Sequence, residues 1–187
     1  MAGKTMKITD VMLRVADALQ RAEVPWMLVG AFSSNYYGIP RSTEDVDFVI
    51  ELDTPLTVEF RRLLGPDFEA EPQMSFETNT GTQRQEFWVR GDLFKVELFR
   101  LSDDPFDRER FRRRTPVDMA GQQIWFPTPE DVIVMKLRWA RSKDKDDVKD
   151  VMSVQRGKLD WNYIEEWCKK HRTLALMEEI RRSAPEI

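Results

Sequence analysis

The chain has 187 residues, of which 41% are hydrophobic, 33% are charged and 11% are aromatic, and its formal net charge is −4. This length can bury the core of one domain, and the aromatic content argues against disorder. The single cysteine excludes an intramolecular disulfide framework, and the single histidine excludes a zinc site built on several His or Cys ligands. No run approaches the roughly 20 apolar residues of a membrane span. We therefore expect a cytoplasmic protein without a membrane partner.

Hydrophobic periodicity and turn residues divide the first hundred residues into helices and strands. The predicted elements are a helix over 9–22, a strand over 26–29, a short helix over 32–37, a strand over 45–51, a helix from 54 to 65, and strands over 83–90 and 93–100. The strand over 45–51 alternates, so Asp45 and Asp47 face the side opposite to Val46 and Phe48.

The second part of the chain is predicted to be mostly helical. A helix over 104–114 precedes a short hairpin around Gly121, and Thr128 with Pro129 gives a strong helix start. We predict a mixed α/β (α+β) fold, with a core over 1–127 and a helical region over 128–187 packed on it as one structural unit.

The most informative segment contains an Asp-x-Asp pair on a strand. Asp45 and Asp47 place two carboxylates on one face, about 6–7 Å apart, where they repel unless a divalent cation lies between them. Mg²⁺ favours such a site and completes its shell with water and substrate phosphates. Upstream, a strand runs into Gly30 and then into a helix, whose free N–H groups suit an anion, and Ser33 or Ser34 adds hydroxyl donors. Together these features predict a nucleoside triphosphate site.

The segment Arg41-Ser42-Thr43-Glu44-Asp45-Val46-Asp47, preceded by Gly30-Ala31, resembles the nucleotidyltransferase superfamily that includes DNA polymerase beta. In particular, it resembles the small bacterial members related to the AbiEii abortive-infection toxins. Their pattern is a strand, a Gly-Gly or Gly-Ser pair, a short helix and Arg-Ser-Thr-x-Asp-h-Asp, where h is apolar. Ala31 departs from this pattern, which removes one serine contact to phosphate.

Later blocks extend the resemblance over residues 26 to 151. Val96-Glu97-Leu98-Phe99 matches the strand that carries the third carboxylate of the family, with Glu97 in place of Asp. Pro129-Glu130-Asp131-Val132 then leads to Lys136, and Asp147 lies in the Lys-Asp-x-x-Asp segment that follows. The resemblance implies a nucleotidyltransferase-type mixed sheet flanked by helices.

The resemblance also implies residue roles. Asp45, Asp47 and Glu97 are expected to hold Mg²⁺, or Mn²⁺ in its place, with Glu97 acting as ligand or base. The residues expected to bind the NTP substrate are Gly30, Ala31, Ser33, Arg41 and Thr43. Lys136 is expected to reach the phosphates, and Asp147 is a candidate to orient it.

The implied reaction moves an NMP from an NTP to a hydroxyl on an RNA end, a protein or a small molecule. Similarity to the AbiEii-like group favours a toxin-type enzyme that acts on tRNA or protein and has an antitoxin partner. Two alternatives stay open. One is a nucleotide- or partner-binding module without turnover, and the other is an antibiotic-modifying nucleotidyltransferase with an acceptor pocket among the C-terminal helices.

Each motif also has a purely structural interpretation. The acidic residues on the strands can face solvent, with Glu97 paired to Lys95 or to a cation on a neighbouring strand. Lys136 can lie on the solvent-exposed face of its helix. Asp147 lies in a charge run over 141–150 of the kind that usually forms a solvated surface. The five arginines within 108–114 suit a phosphate backbone, but a surface helix with arginines paired to nearby acids is favoured.

Overall fold

The computed structural model describes residues 6–52, 58–73, 75–76 and 81–185 of the chain. The described strands are β1 (Trp26–Leu28), β2 (Asp45–Ile50), β3 (Phe68–Ala70), β4 (Ser75–Phe76), β5 (Gln83–Val89), β6 (Lys95–Arg100), β7 (Thr115–Met119) and β8 (Gln122–Phe126). The described helices are α1 (Ile8–Arg21), α2 (Gly30–Tyr37), α3 (Val58–Leu64), α4 (Pro105–Arg112), α5 (Pro129–Trp139), α6 (Ser142–Val154), α7 (Trp161–His171) and α8 (Leu174–Ser183). The mixed α/β prediction is confirmed. None of these helices is long and apolar enough to cross a membrane.

A mixed sheet forms the centre of the fold. Its order is β1-β2-β6-β5-β3, with β4 added on β5, while β7 and β8 form a separate hairpin. β2 and β6 run parallel, and their register places Asp47 opposite Glu97. The remaining pairings are antiparallel. The two carboxylates therefore come from neighbouring strands at the middle of the sheet.

One face of the sheet packs into the main hydrophobic core. Val46, Phe48 and Leu98 on the central strands are buried together with Val15 and Leu19 of α1. Because side chains alternate along a strand, the residues between them face the other side. That side carries Asp47 and Glu97, and further along the strands it carries buried apolar residues.

The C-terminal helices form a second core, to which α4 contributes Phe106. Helix α5 begins as predicted, since the Thr128 hydroxyl accepts a hydrogen bond from Asp131 N at 3.3 Å. The division of the chain at residues 127 and 128 stays a prediction.

The observed boundaries differ from the predicted ones at a few points. Helix α2 begins at Gly30, two residues earlier than predicted. The strands β3 and β4 were not predicted, because runs of three and two residues are too short to show a period. The predicted helix start at Thr54 and Pro55 lies outside the described residues, and α3 is described from Val58.

Candidate active site

Two carboxyl groups lie side by side on the face of the sheet opposite to the main hydrophobic core. Asp47 and Glu97 are opposite each other on β2 and β6. Burial and then the charge and hydrogen bond of Glu97, with a further contribution from Asp45, raise the pKa of Asp47 to about 7. Asp47 Oδ1 is buried and has no hydrogen-bond partner among the described residues. A cation between these two carboxylates would relieve both the repulsion and the unpaired oxygen.

Gly30 lies directly against Asp47 at the start of α2. Its φ is +65°, and a Cβ atom at this position would lie 1.9 Å from Asp47 Oδ2. No side chain caps α2, since its N-cap residue Val29 makes no such hydrogen bond. The first N–H groups of this helix are therefore available to an anion next to the carboxyl pair.

A cleft opens between the sheet and α5. Gly30, Ser33 and Asp47 line one end of it, and Lys136 of α5 lines the opposite wall. The Ser33 hydroxyl donates to Gly30 O at 3.0 Å, so its oxygen stays near the helix start. The structure thus brings four of the predicted site residues to one end of one cleft.

Lys136 is buried between two carboxylates of α6. Its Nζ lies 2.6 Å from Asp147 Oδ2 and 3.2 Å from Asp144 Oδ1. Burial alone raises the pKa of Asp147, but hydrogen bonds from Arg41 and Lys136 outweigh this effect and hold it below its usual value. The solvated-surface interpretation of these positions is wrong for Asp144 and Asp147, which are 0% and 4% exposed. Asp144 is a site residue that the sequence did not single out.

The Arg-Ser-Thr loop is tied to α6 and to β2 rather than to the cleft. Arg41 Nε donates to Asp147 Oδ1 at 2.8 Å. The Thr43 hydroxyl accepts from Asp45 N at 3.2 Å. Of the described residues that line the cleft, none is Arg41, Thr43 or Ala31. Their roles in NTP binding stay predictions.

Two cations already contact the third carboxylate. Lys95 Nζ lies 2.8 Å from Glu97 Oε1, and Arg84 lies 3.0 Å from the same atom. Asp45 is about half exposed and lies 3.8 Å from Lys95 Nζ. Among the described residues, no group of three His, Cys, Asp or Glu side chains is arranged to hold a metal ion. The expected three-carboxylate cluster is therefore not assembled, and Asp47 with Glu97 is its assembled part.

The residues present still fit a magnesium ion. Mg²⁺ needs only one or two protein carboxylates, because water and substrate phosphates complete its shell. Asp47 supplies an unpaired buried oxygen, Glu97 lies opposite it on β6, and the missing side chain of Gly30 lets the Asp47 carboxylate lie against the start of α2. The set contains only oxygen donors, which suits Mg²⁺ or Mn²⁺.

The arginine-rich helix α4 has a structural explanation. Its Phe106 and Phe111 are buried, and its arginines pair with nearby acids. Arg108 bonds Glu51 and Asp103, Arg110 bonds Asp107, and Arg112 bonds Glu109. The surface-helix interpretation is confirmed for these residues, except that Arg110 is buried.

Comparison with known proteins agrees with the mixed α/β fold described above. A family model described as a nucleotidyltransferase of unknown function matches residues 99–185, which is less than half of the chain. No curated protein sequence matches the chain.

Solved structures match over nearly the whole chain. An antigenic nucleotidyltransferase-like protein from Paracoccidioides brasiliensis aligns with a TM-score of 0.56 and 17% identity, over 96% of this chain and 93% of the other. The solution structure of the antibiotic-resistance factor ANT(2″)-Ia aligns with a TM-score of 0.55 and 13% identity, over 95% of this chain and 99% of the other. The chain therefore has a nucleotidyltransferase-like fold.

Proposed function

We propose that the protein is a Mg²⁺-dependent nucleotidyltransferase that moves an NMP from an NTP to a hydroxyl acceptor and releases pyrophosphate. The observation that carries this proposal is Asp47, which pairs with Glu97 across two strands, lies directly against the uncapped start of α2 and lines one end of a cleft. A metal-binding pair beside an anion-binding helix start suits a metal-bound triphosphate.

The roles of the residues follow from their positions. Asp47 and Glu97 would hold Mg²⁺, or Mn²⁺ in its place, and Asp45 would join them when Lys95 turns away. Bound there, the ion supplies charge neutralisation on the phosphates and activation of the attacking hydroxyl. The first N–H groups of α2 and the Ser33 hydroxyl would bind phosphate oxygens. Lys136 faces them from α5 as a point charge, held in place by Asp144 and Asp147.

The acceptor class is a separate proposal. The Arg-Ser-Thr-x-Asp-x-Asp segment favours an AbiEii-like, toxin-type enzyme that acts on tRNA or protein beside an antitoxin. A small-molecule acceptor is the second candidate, because ANT(2″)-Ia, which shares the fold, was solved in complex with adenylyl-2″-tobramycin. Neighbouring genes and an acceptor screen separate the two.

The test of the proposed reaction is label transfer from NTPs. Protein is incubated with Mg²⁺, acceptor pools and NTP labelled at either the α- or the γ-phosphate. We expect acceptor labelling from the α position only, together with pyrophosphate release. Asp47→Asn should lose this labelling, and the exposed control Asp17→Asn should keep it. NTP binding without any transfer would instead support the non-catalytic binding module, and equal labelling by wild type and Asp47→Asn would overturn the site.

A further inference from the structure

The far end of the cleft holds a buried ion pair on α4 that the proposed reaction does not use. Arg110 Nε donates to Asp107 Oδ1 at 2.9 Å, and the Ser102 hydroxyl donates to the other oxygen of Asp107. Arg110 is 7% exposed and Asp107 is 3% exposed. All three residues line the cleft. A buried polar cluster at the end of a cleft is a candidate for ligand recognition.

Arg110 keeps unused hydrogen-bond donors. A guanidinium carries N–H groups on three nitrogens in a fixed fork, and only Nε of Arg110 is engaged. Its terminal nitrogens have no hydrogen-bond partner among the described residues, and they are not among the fully buried unpaired atoms. The small exposed part of Arg110 therefore faces the cleft. Solvent in the cleft pairs with these donors in the free protein, and a ligand that enters the cleft can take its place.

The path from the carboxyl pair to Arg110 has apolar walls. Val49 follows Asp47 by two residues on β2, and Phe99 follows Glu97 by two residues on β6, so both lie on the cleft side. Met135 of α5 lies across from them. Each step of two residues advances about 7 Å along a strand. With phosphates at Asp47, the next part of a nucleotide along this path is the sugar and then the flat base.

The charge at the far end selects the chemistry of the ligand. Asp107 neutralises Arg110, and both of its oxygens are already engaged. This end therefore offers donors without net charge, which favours a neutral group with acceptors over a phosphate. A planar guanidinium donates two parallel hydrogen bonds best to two adjacent acceptors, as arginine does to O6 and N7 of guanine. Cytosine presents O2 and N3 in the same way, whereas adenine and uracil have no adjacent pair of acceptors.

We propose that the Arg110 end of the cleft is a base subsite, and that Arg110 selects guanine or cytosine over adenine and uracil. The subsite rests on the proposed function, because it assumes that the triphosphate lies at Asp47. Arg110 is here a specificity-determining residue, held in position by Asp107 and Ser102.

Titration of the full-length protein with GTP, CTP, ATP and UTP in the presence of Mg²⁺ tests the subsite. We expect GTP or CTP to bind about tenfold more tightly than ATP and UTP. Arg110→Lys keeps the positive charge opposite Asp107 but loses the fork, so it should bind the four NTPs alike. Arg112→Lys, on the exposed side of the same helix, should keep the wild-type preference.

A ligand change gives a second arm that does not depend on folding of a variant. If GTP is the preferred nucleotide, 7-deaza-GTP should bind the wild-type protein no more tightly than ATP, because it lacks the N7 acceptor. If CTP is preferred, zebularine triphosphate should bind like CTP, because it keeps O2 and N3 and lacks only the amine. Equal affinity for all four NTPs, or a preference that survives Arg110→Lys, would overturn the base subsite and leave the proposed function intact. Failure to bind any NTP, or inorganic tripolyphosphate, would overturn both.

Discussion

Gly30 and Asp47 are placed so closely that no side chain fits between them. A Cβ atom on Gly30 would lie 1.9 Å from Asp47 Oδ2, and the φ of +65° independently disfavours other residues. The glycine thus gives the carboxylate its space and allows α2 to begin beside it.

Gly30→Ala should therefore cost more stability than its backbone conformation explains. The left-handed conformation costs about 1–2 kcal/mol, and the clash adds about 1–3 kcal/mol. Gly91→Ala is the matched control, because Gly91 has a φ of +80° and nothing within 4 Å of the added Cβ. Urea unfolding of both variants measures the difference, and equal losses would show that Asp47 does not crowd Gly30.

Asp47→Asn should stabilise the metal-free protein near neutral pH. The folded-state pKa of Asp47 is raised, so the folded protein holds a proton that the unfolded chain has lost between about pH 4 and 7. This stabilisation is present at low pH and is lost as pH rises through the folded-state pKa. At pH 8 we expect the free energy of unfolding of Asp47→Asn to exceed that of wild type by about 1–3 kcal/mol. One pKa unit corresponds to about 1.4 kcal/mol, and solvent in the cleft screens part of the effect of the raised pKa.

Unfolding of wild type and Asp47→Asn at pH 5 and pH 8, with chelator present, checks this effect. The gain should shrink at pH 5, where wild-type Asp47 is protonated. A gain that is absent at pH 8, or equal at both values, would contradict the raised pKa.

Lys95→Met should increase affinity for divalent cations. Lys95 contacts Glu97 at 2.8 Å and Asp45 at 3.8 Å, so it competes with a metal ion for the same carboxylates. Removing this charge should tighten Mn²⁺ binding by about tenfold. Mn²⁺ titration followed by electron paramagnetic resonance measures it directly. Lys169→Met, which removes an exposed lysine paired with Glu165, is the control, and weaker Mn²⁺ binding by Lys95→Met would rule out the competition.

Lys136→Met should strongly destabilise the protein, because it leaves Asp144 and Asp147 buried near each other without their shared cation. Breaking a buried pair from one side costs about 3–5 kcal/mol. Lys170→Met removes an exposed pair with Glu166 and should cost less than about 1 kcal/mol. Chemical unfolding measures the loss in free energy of unfolding for both variants. Similar small losses would mean that the Lys136 ion pairs do not stabilise the contact between α5 and α6.

The sequence predicts the parts of this site that depend on local order. The alternation of polar and apolar residues along 45–51 was enough to place Asp47 on the face opposite to Phe48. The motif around Glu97 was enough to predict it as a third carboxylate of the site. The glycine before α2 was also recognisable, because a strand that runs into glycine and then a helix is a local pattern.

The remaining features depend on contacts between distant segments. Asp144 and Asp147 look like part of a solvated charge run, and only the approach of Lys136 and Arg41 explains why they are buried. Arg110 looks like one of several surface arginines, and its burial follows from how α4 packs over the end of the cleft. The contact of Arg84 with Glu97 likewise requires the register of β5 and β6. No pattern within a single segment carries this information.

The central claim is that Asp47 and Glu97 form a metal-dependent nucleotide site. Calorimetric titration with NTP, with Mg²⁺ or with chelator, tests it most directly in wild type, Asp47→Asn and Asp17→Asn. We predict Mg²⁺-dependent binding that weakens at least about tenfold in Asp47→Asn, a loss of about 1.4 kcal/mol or more, and stays unchanged in Asp17→Asn. NTP binding that is equal with and without metal, or equal in wild type and Asp47→Asn, would contradict it.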